Sequence, residues 1–213
     1  DIRRALLKGA QLTTSVCEVM HSSFSYLSTT ERDHTNTIHE FRKHKITVVP
    51  LLNETHNLVK VYNFKEQSTI LPVDAVLMAG GKGERLRPLT DKTPKPLLPV
   101  GDKAIIDHNI DRLISYGVEN INVTVNYLKE KLEEHFRTPH KNVKIRTVSE
   151  PTFLGTMVSV KCVEDIHNDT ILVMNSDIFT DIDYEDFYLH FQQNNADMSV
   201  AAVQYTVSIH YGI

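Results

Sequence analysis

The 213-residue sequence has only two cysteines, no excess of positive charge and no long apolar run. Cys17 and Cys162 lack the spacing of a metal site or a disulfide framework, so we expect reduced thiols. A net charge of -4 offers no basic field for a nucleic-acid backbone, so we expect no nucleic-acid partner. No apolar run is long enough to cross a bilayer, and the first residues lack the features of a signal peptide. These absences predict a cytoplasmic protein without a membrane partner.

The composition changes near residue 70, and this change predicts two parts. Residues 1–67 contain no glycine after Gly9, whereas residues 73–213 combine apolar strands, glycine-rich turns and amphipathic helices. Residues 68–72 read as a linker, because Pro72 disfavours a helix at the residue before it. In the first part, the pattern predicts a helix over residues 31–43 and strands over 46–52 and 58–61.

In the second part, short apolar strands alternate with amphipathic helices. Strands are predicted over residues 75–78, 122–125, 143–146, 171–174 and 198–203. Helices are predicted over residues 106–116, 128–136 and 184–193. The alternation predicts an α/β fold with a doubly wound, mainly parallel sheet, which binds ligands at the carboxyl ends of its strands.

A glycine-rich loop follows the first strand of this second part. Three glycines within residues 80–83 let the backbone approach a ligand closely and turn its N–H groups toward an anion. Arg85 and Lys95 add positive charge, and Arg85 can grip a phosphate with two N–H groups. A P-loop is excluded because the Gly-Lys-Ser/Thr ending is absent, and Leu86 stands where a dinucleotide fingerprint needs glycine. The loop therefore predicts a phosphate site of another kind.

Residues 79–100 resemble the signature of the sugar-1-phosphate nucleotidyltransferases, which make nucleotide sugars. The resemblance continues at residues 125–128, 150–156, 175–177 and 211–212, so it covers the chain from about residue 73 to its end. It implies the nucleotide-diphospho-sugar transferase fold. It also implies transfer of a nucleotidyl group, with GMP favoured, from a nucleoside triphosphate to a sugar-1-phosphate, with release of pyrophosphate.

The resemblance implies roles for individual residues. Arg85 and Lys95 would act in catalysis by binding the phosphates. The nucleotide and sugar would contact a larger set, which comprises Ala79, Gly80, Gly81, Gly83, Glu150, Pro151, Gly155, Thr156, Tyr211 and Gly212. We expect no protein nucleophile, because positioning and charge neutralisation suffice when the attacking group is already an anion.

The resemblance also implies Mg²⁺ as the cofactor, with Asp177 as its ligand. Asp177 follows an apolar strand, so its carboxylate emerges at the same edge as the glycine loop. The alternative role for the Ser176-Asp177 pair is to cap a turn or helix, and Asp181 and Asp183 are expected to cap the next helix. Ser176 departs from the family, which usually has glycine there. The family's second magnesium-binding Asp lies beyond Ile213, so we expect a truncated, inactive fragment.

Residues 15–66 resemble one CBS motif, and residues 1–4 resemble the tail of another. The resemblance implies a small α/β regulatory module that could bind an adenosine nucleotide, with Asp1 at the ribose position. A generic α/β packing unit is the alternative. Histidines 34, 39, 44 and 56 have no metal-ligand spacing and are expected to be solvated. We also expect a homo-oligomer.

Two other functions are alternatives to the predicted sugar-1-phosphate nucleotidyltransferase. One is a regulatory protein that binds nucleotide without turnover. The other is a choline- or glycerol-type cytidylyltransferase, which is disfavoured because its His-x-Gly-His motif is absent.

Overall fold

The computed structural model describes residues 1–152, 155, 157–204 and 206. The elements of the N-terminal part are α1 (Ile2–Leu7), α2 (Val16–Val19), β1 (Leu27–Ser28), α3 (Thr35–Lys43), β2 (Val48–Leu52) and β3 (Leu58–Asn63). The elements of the second part are β4 (Val73–Met78), β5 (Pro99–Val100), β6 (Lys103–Ala104), α4 (Ile105–Ser115), β7 (Ile121–Val125), α5 (Lys129–His135), β8 (Ile145–Ser149), β9 (Thr170–Asn175) and α6 (Tyr184–Gln193).

The N-terminal part forms a small sheet with α3 packed on it. Strands β2 and β3 pair as an antiparallel hairpin, and β1 adds to β2 in parallel. Ile38 of α3 is fully buried in the same cluster as Val49 and Tyr62. The predicted helix begins at Thr35 rather than at residue 31, and the Asp33 carboxylate accepts a hydrogen bond from the Thr35 N–H (2.8 Å) at this end. The expected helix–strand–turn–strand order is confirmed.

Residues 68–72 carry no helix or strand, yet they are not a loose linker. Thr69 and Leu71 are buried. The Ser68 N–H donates to the Ser115 carbonyl (2.6 Å), and the Leu71 N–H donates to the Tyr116 carbonyl (3.0 Å). The segment is therefore held against the C-terminal end of α4.

The second part is built on a parallel sheet. Within the described residues its order is β8-β7-β4-β9, with every neighbouring pair parallel. Ile106, Ile110 and Leu113 of α4 are fully buried in one core cluster with Leu77 and Val123 of the sheet. Both side-chain directions of β7 are buried, as expected for a parallel sheet covered on both faces. The α/β class with a mainly parallel sheet is confirmed.

One charged residue lies inside a central strand. The Asp74 carboxylate accepts hydrogen bonds from the backbone N–H groups of His167 and Asn168 and from the Asn168 amide (2.7 Å). Burial raises the pKa of Asp74, but these hydrogen bonds outweigh it and lower the pKa below its usual value. Asp74 thereby fixes the segment that enters β9.

Two strand predictions need correction. The strand predicted over residues 143–146 is β8, which begins at Ile145. Lys141 and Asn142 adopt positive φ, and this turn pairs Val143 back onto His140. The strand predicted over residues 198–203 is wrong, because these described residues join no ladder. An apolar pattern does not make a strand without a partner strand to accept its hydrogen bonds.

Across the described ranges, every helix is too short or too polar to span a bilayer.

Candidate active site

The glycine loop leaves β4 at the carboxyl edge of the sheet. The Ala79 N–H still donates to the Thr124 carbonyl (2.9 Å), and the chain then departs from the ladder. Gly83 adopts a left-handed conformation (φ 62°), and its carbonyl accepts a hydrogen bond from the buried Thr90 hydroxyl (2.9 Å). A Cβ on Gly83 would lie 3.0 Å from the Thr90 methyl and 3.2 Å from Lys95 Cβ. Both its backbone conformation and its surroundings therefore require glycine.

Tyr127 holds the same loop in place. Its hydroxyl donates to the carbonyls of Thr90 (3.0 Å) and Asp91 (3.2 Å), and its N–H donates to the Gly80 carbonyl (3.4 Å). The segment after β7 thus fixes the loop after β4. The sequence indicated this segment only through the family resemblance.

A cavity of about 330 Å³ opens beside the loop. Its lining consists of Met78, Ala79, Gly80, Gly81, Gly83, Arg85, Lys95, Pro96, Glu150, Gly155, Ser159, Asn175, Ser176 and Asp177. Nine of these residues were expected from the sequence. Pro151 is exposed and does not line the cavity. Thr156, Tyr211 and Gly212 lie outside the described residues.

Lys95 and Asp177 meet across the cavity. The Lys95 ammonium forms an ion pair with the Asp177 carboxylate, whose side chain is 23% exposed. The carboxylate therefore already holds a cationic group next to the glycine loop. Arg85 is exposed, and its guanidinium has no ion-pair partner among the described residues.

Ser176 fits where the family usually has glycine. It is 1% exposed, and both its N–H (3.1 Å) and its hydroxyl (2.8 Å) donate to the Met78 carbonyl. The Asn109 amide donates to the Ser176 carbonyl (3.0 Å). The hydroxyl thus adds a bond between β4 and the turn that carries Asp177.

Glu150 directly follows β8 and lines the same cavity. The residue is 7% exposed, and its N–H donates to the Val125 carbonyl (2.9 Å) at the end of β7. Among the described residues, its carboxylate has no hydrogen-bond or ion-pair partner. A Cβ on Gly80 would lie 2.8 Å from the Glu150 carboxylate oxygen Oε1, so Gly80 leaves the room that this carboxylate occupies.

Three further residues line the cavity, although no role was predicted for any of them from the sequence. Pro96 and Asn175 lie within segments of the family resemblance, whereas Ser159 lies outside them. Asp183 is the N-cap of α6, as expected, because its carboxylate accepts from the N–H groups of Glu185 (2.9 Å) and Asp186 (3.2 Å).

A second cavity, of about 450 Å³, lies between α1 and α2. Asp1, Arg4, Lys8 and His21 are among its lining residues. The Asp1 carboxylate pairs with Arg4 (2.9 Å) and accepts from the His21 N–H (3.0 Å). The ribose contact expected of Asp1, and the adenosine nucleotide itself, stay predictions.

A parallel sheet with a glycine-rich loop, two cationic side chains and a carboxylate around a cavity at its carboxyl edge defines the class of this part as an α/β domain. The chain belongs to the nucleotidyl transferase family, whose model matches residues 74–213.

The relatives agree with this assignment. The chain is 38% identical over 115 residues to the bifunctional protein GlmU of Methanocaldococcus jannaschii, covering 54% of this chain and 27% of that protein. It is 30% identical over 144 residues to mannose-1-phosphate guanylyltransferase catalytic subunit beta of Danio rerio, covering 65% of this chain and 40% of that protein. The crystal structure of HddC from Yersinia pseudotuberculosis complexed with GMP-PN matches at 25% identity with a TM-score of 0.51, covering 56% of this chain and 54% of that one. The chain thus spans only part of each relative's length.

Proposed function

We propose that this chain carries the nucleotide-binding part of a sugar-1-phosphate guanylyltransferase. In the proposed reaction an oxygen of the sugar-1-phosphate attacks the α-phosphorus of GTP. A new P–O bond forms, the bond to the bridging oxygen breaks, and pyrophosphate leaves. The observation that carries the guanine assignment is the Glu150 carboxylate, which lines the cavity beside Gly80 and has no hydrogen-bond or ion-pair partner among the described residues.

The part of the cavity that is lined by Gly80, Gly81, Arg85 and Lys95 supports nucleotidyl transfer. Gly80 and Gly81 carry no side chain of their own, and Arg85, whose guanidinium has no ion-pair partner among the described residues, lines the same cavity. We propose that Arg85 binds the β- and γ-phosphates and that Lys95 binds near the α-phosphate. A fixed arrangement of positive charge lowers the barrier because phosphoryl transfer depends on positioning and charge neutralisation.

The surroundings of Asp177 fit a Mg²⁺ ion that is bound partly by the protein and partly by the phosphates of the nucleotide. Asp177 offers carboxylate oxygens beside the glycine loop, and it already stabilises one cationic group, the Lys95 ammonium. In the described part of the chain no three His, Cys, Asp or Glu side chains come together, so phosphates and water would complete the coordination. When bound, Mg²⁺ would neutralise charge on the reacting phosphates. Lys95 would then be released from Asp177 and could pair with phosphate.

Glu150 supports guanine over the other bases. A carboxylate only accepts hydrogen bonds, through two oxygens that can act together. The Watson–Crick edge of guanine presents two adjacent donors, its N1–H and its amino group, and therefore matches both oxygens. The other bases present at most one donor on this edge, next to an acceptor that would face a carboxylate oxygen. A buried carboxylate without such a partner is costly, which disfavours those bases.

The decisive experiment is a Glu150→Gln substitution tested against a panel of triphosphates. A carboxamide offers a donor beside an acceptor, which suits the donor–acceptor edges of adenine, cytosine, uracil and thymine better than the two adjacent donors of guanine. Losing a hydrogen bond to a charged group costs about 1.5–3 kcal/mol, so GTP affinity should fall about 10- to 100-fold. UTP or dTTP affinity should rise or stay level. Isothermal titration calorimetry of GTP, ATP, CTP, UTP and dTTP measures both effects.

The matched control is Glu119→Gln, because Glu119 is 72% exposed and, among the described residues, forms an ion pair with Lys60 alone. It should leave all affinities unchanged. A wild-type chain that binds no triphosphate would remove the nucleotide site altogether. Unchanged base preference in Glu150→Gln would refute the guanine assignment while leaving nucleotidyl transfer standing.

A further inference from the structure

The loop that carries Asp177 connects β9 to α6, and polar side chains of α4 hold it at both ends. At its start, the Asn109 amide donates to the Ser176 carbonyl (3.0 Å). Toward its end, the Arg112 guanidinium donates to the carbonyls of Thr180 and Ile182. The loop is therefore tied to one helix on either side of Asp177.

The spacing of Asn109 and Arg112 on α4 allows both sets of hydrogen bonds. Asn109 and Arg112 are three residues apart, so they project from the same side of the helix. Asn109 is 3% exposed, and the Arg112 guanidinium lies 5.3 Å from the centroid of the Tyr184 ring at the start of α6. The helix itself is fixed by Ile106 and Ile110, which are both fully buried. The donors thus sit on a rigid element.

The contacts of Asn109 and Arg112 connect the loop to the site. The Ser176 carbonyl that Asn109 binds belongs to the residue directly before Asp177. Within the described residues, neither the Thr180 nor the Ile182 carbonyl has another side-chain donor, and Phe179, directly before Thr180, is 74% exposed. α4 thus adds side-chain donors on both sides of Asp177 to the contacts that the loop already has, namely the Ser176–Met78 hydrogen bonds and the Lys95–Asp177 ion pair.

We propose that Asn109 and Arg112 are positioning residues that set the divalent-metal affinity of Asp177. This inference rests on the metal role given to Asp177 in the proposed function. Residues that orient a metal ligand typically change metal affinity about 10- to 100-fold when they are removed. Neither side chain touches the cavity, so nucleotide binding without metal should be unaffected.

The test compares Asn109→Leu with wild type in the 213-residue chain. Leu has the same number and branching of side-chain heavy atoms but no donor. We expect Mn²⁺ affinity, measured by electron paramagnetic resonance in the presence of GTP, to fall about tenfold. Hydrogen–deuterium exchange over residues 176–183 should increase, and GTP affinity in EDTA should stay unchanged. Arg112→Lys, which keeps the charge but cannot span two carbonyls, should weaken Mn²⁺ binding in the same direction if Asn109→Leu fails to fold.

Asn120→Leu is the matched control. Asn120 is also a buried amide that donates to a backbone carbonyl, that of Asp165 (3.0 Å), but it lies at the amino end of β7. An equal loss of Mn²⁺ affinity in Asn120→Leu would overturn the inference, because it would indicate general destabilisation. Wild-type Mn²⁺ affinity in both Asn109→Leu and Arg112→Lys, beside weakened binding in Asp177→Asn, would overturn the inference alone. Equal affinity in wild type and Asp177→Asn would refute the metal role itself and the inference with it.

Discussion

Substituting Gly117 by Ala should strongly destabilise the protein, because this glycine lies where residues 68–72 pack on the end of α4. Gly117 has φ +76°, and an added Cβ would lie 2.5 Å from the Thr69 carbonyl oxygen and 2.8 Å from Ile70 Cα. The left-handed conformation costs a non-glycine residue about 1–2 kcal/mol. Displacing packed backbone adds about 1–3 kcal/mol. Gly117→Ala should therefore lose about 2–5 kcal/mol of unfolding free energy, a large share of the usual total.

Gly101→Ala separates the two contributions. Gly101 has φ +69°, but an added Cβ meets no atom within 4 Å. It should lose only the conformational part, about 1–2 kcal/mol. Urea unfolding followed by circular dichroism measures both variants, and the midpoints should differ at an unchanged slope. Equal losses in the two variants would refute the argument that residues 68–72 are firmly packed against α4.

Three further substitutions test other features of the site and the fold. Gly80→Ala should displace the Glu150 carboxylate and weaken GTP binding about tenfold, as measured by calorimetry. The melting temperature should change little, because the displaced carboxylate is the end of a flexible side chain. Unchanged GTP affinity would contradict the close fit of Glu150 against Gly80. Asp183→Ala removes the N-cap of α6 and should lower the unfolding free energy by about 1 kcal/mol in urea unfolding, whereas an exposed Asp elsewhere should not. For Asp111, burial raises the pKa, but hydrogen bonds from Lys103, Lys141 and His140 outweigh it and hold the pKa well below its usual range. Its stabilisation should thus be full above the unfolded pKa of about 3.9 and be lost as the pH falls below it, so wild type and Asp111→Asn should converge in stability at low pH; a constant gap would contradict this.

The main course of the fold could be predicted from the sequence, because the buried strands and helices have clear periodicity. The apolar runs of β4, β7 and β9 and the apolar face of α4 located these elements to within one or two residues. The start of β8 could not be predicted, because the backbone conformation at Lys141 and Asn142 sends Val143 into a turn. Local hydrophobicity does not encode that turn.

The residues of the candidate site could largely be predicted from the sequence, whereas the contacts between its separate segments could not. The loop around Gly80 and Arg85 carries several of these residues, and the cavity forms there. The ion pair of Lys95 with Asp177 joins residues far apart in sequence, so no pattern could indicate it. The hydrogen bond from Asn109 to Ser176 could not be predicted for the same reason. A polar residue on a helix is expected to face solvent unless its hydrogen-bond partner is known.

The N-terminal part and the second part, which differ in composition, are in direct contact in the structure. The Glu185 carboxylate of α6 is 4% exposed and forms an ion pair with Arg42 of α3, across the predicted boundary. The Tyr188 hydroxyl, one turn further along α6, donates to the Asp33 carboxylate (2.9 Å). Burial and this hydrogen bond raise the pKa of Tyr188, so the hydroxyl stays a donor at neutral pH. A buried carboxylate such as Glu185 is stable only with its partner present, so α6 depends on the N-terminal part for its environment. Because α6 directly follows the loop that carries Asp177, the N-terminal part contributes to the frame on which the candidate site is built.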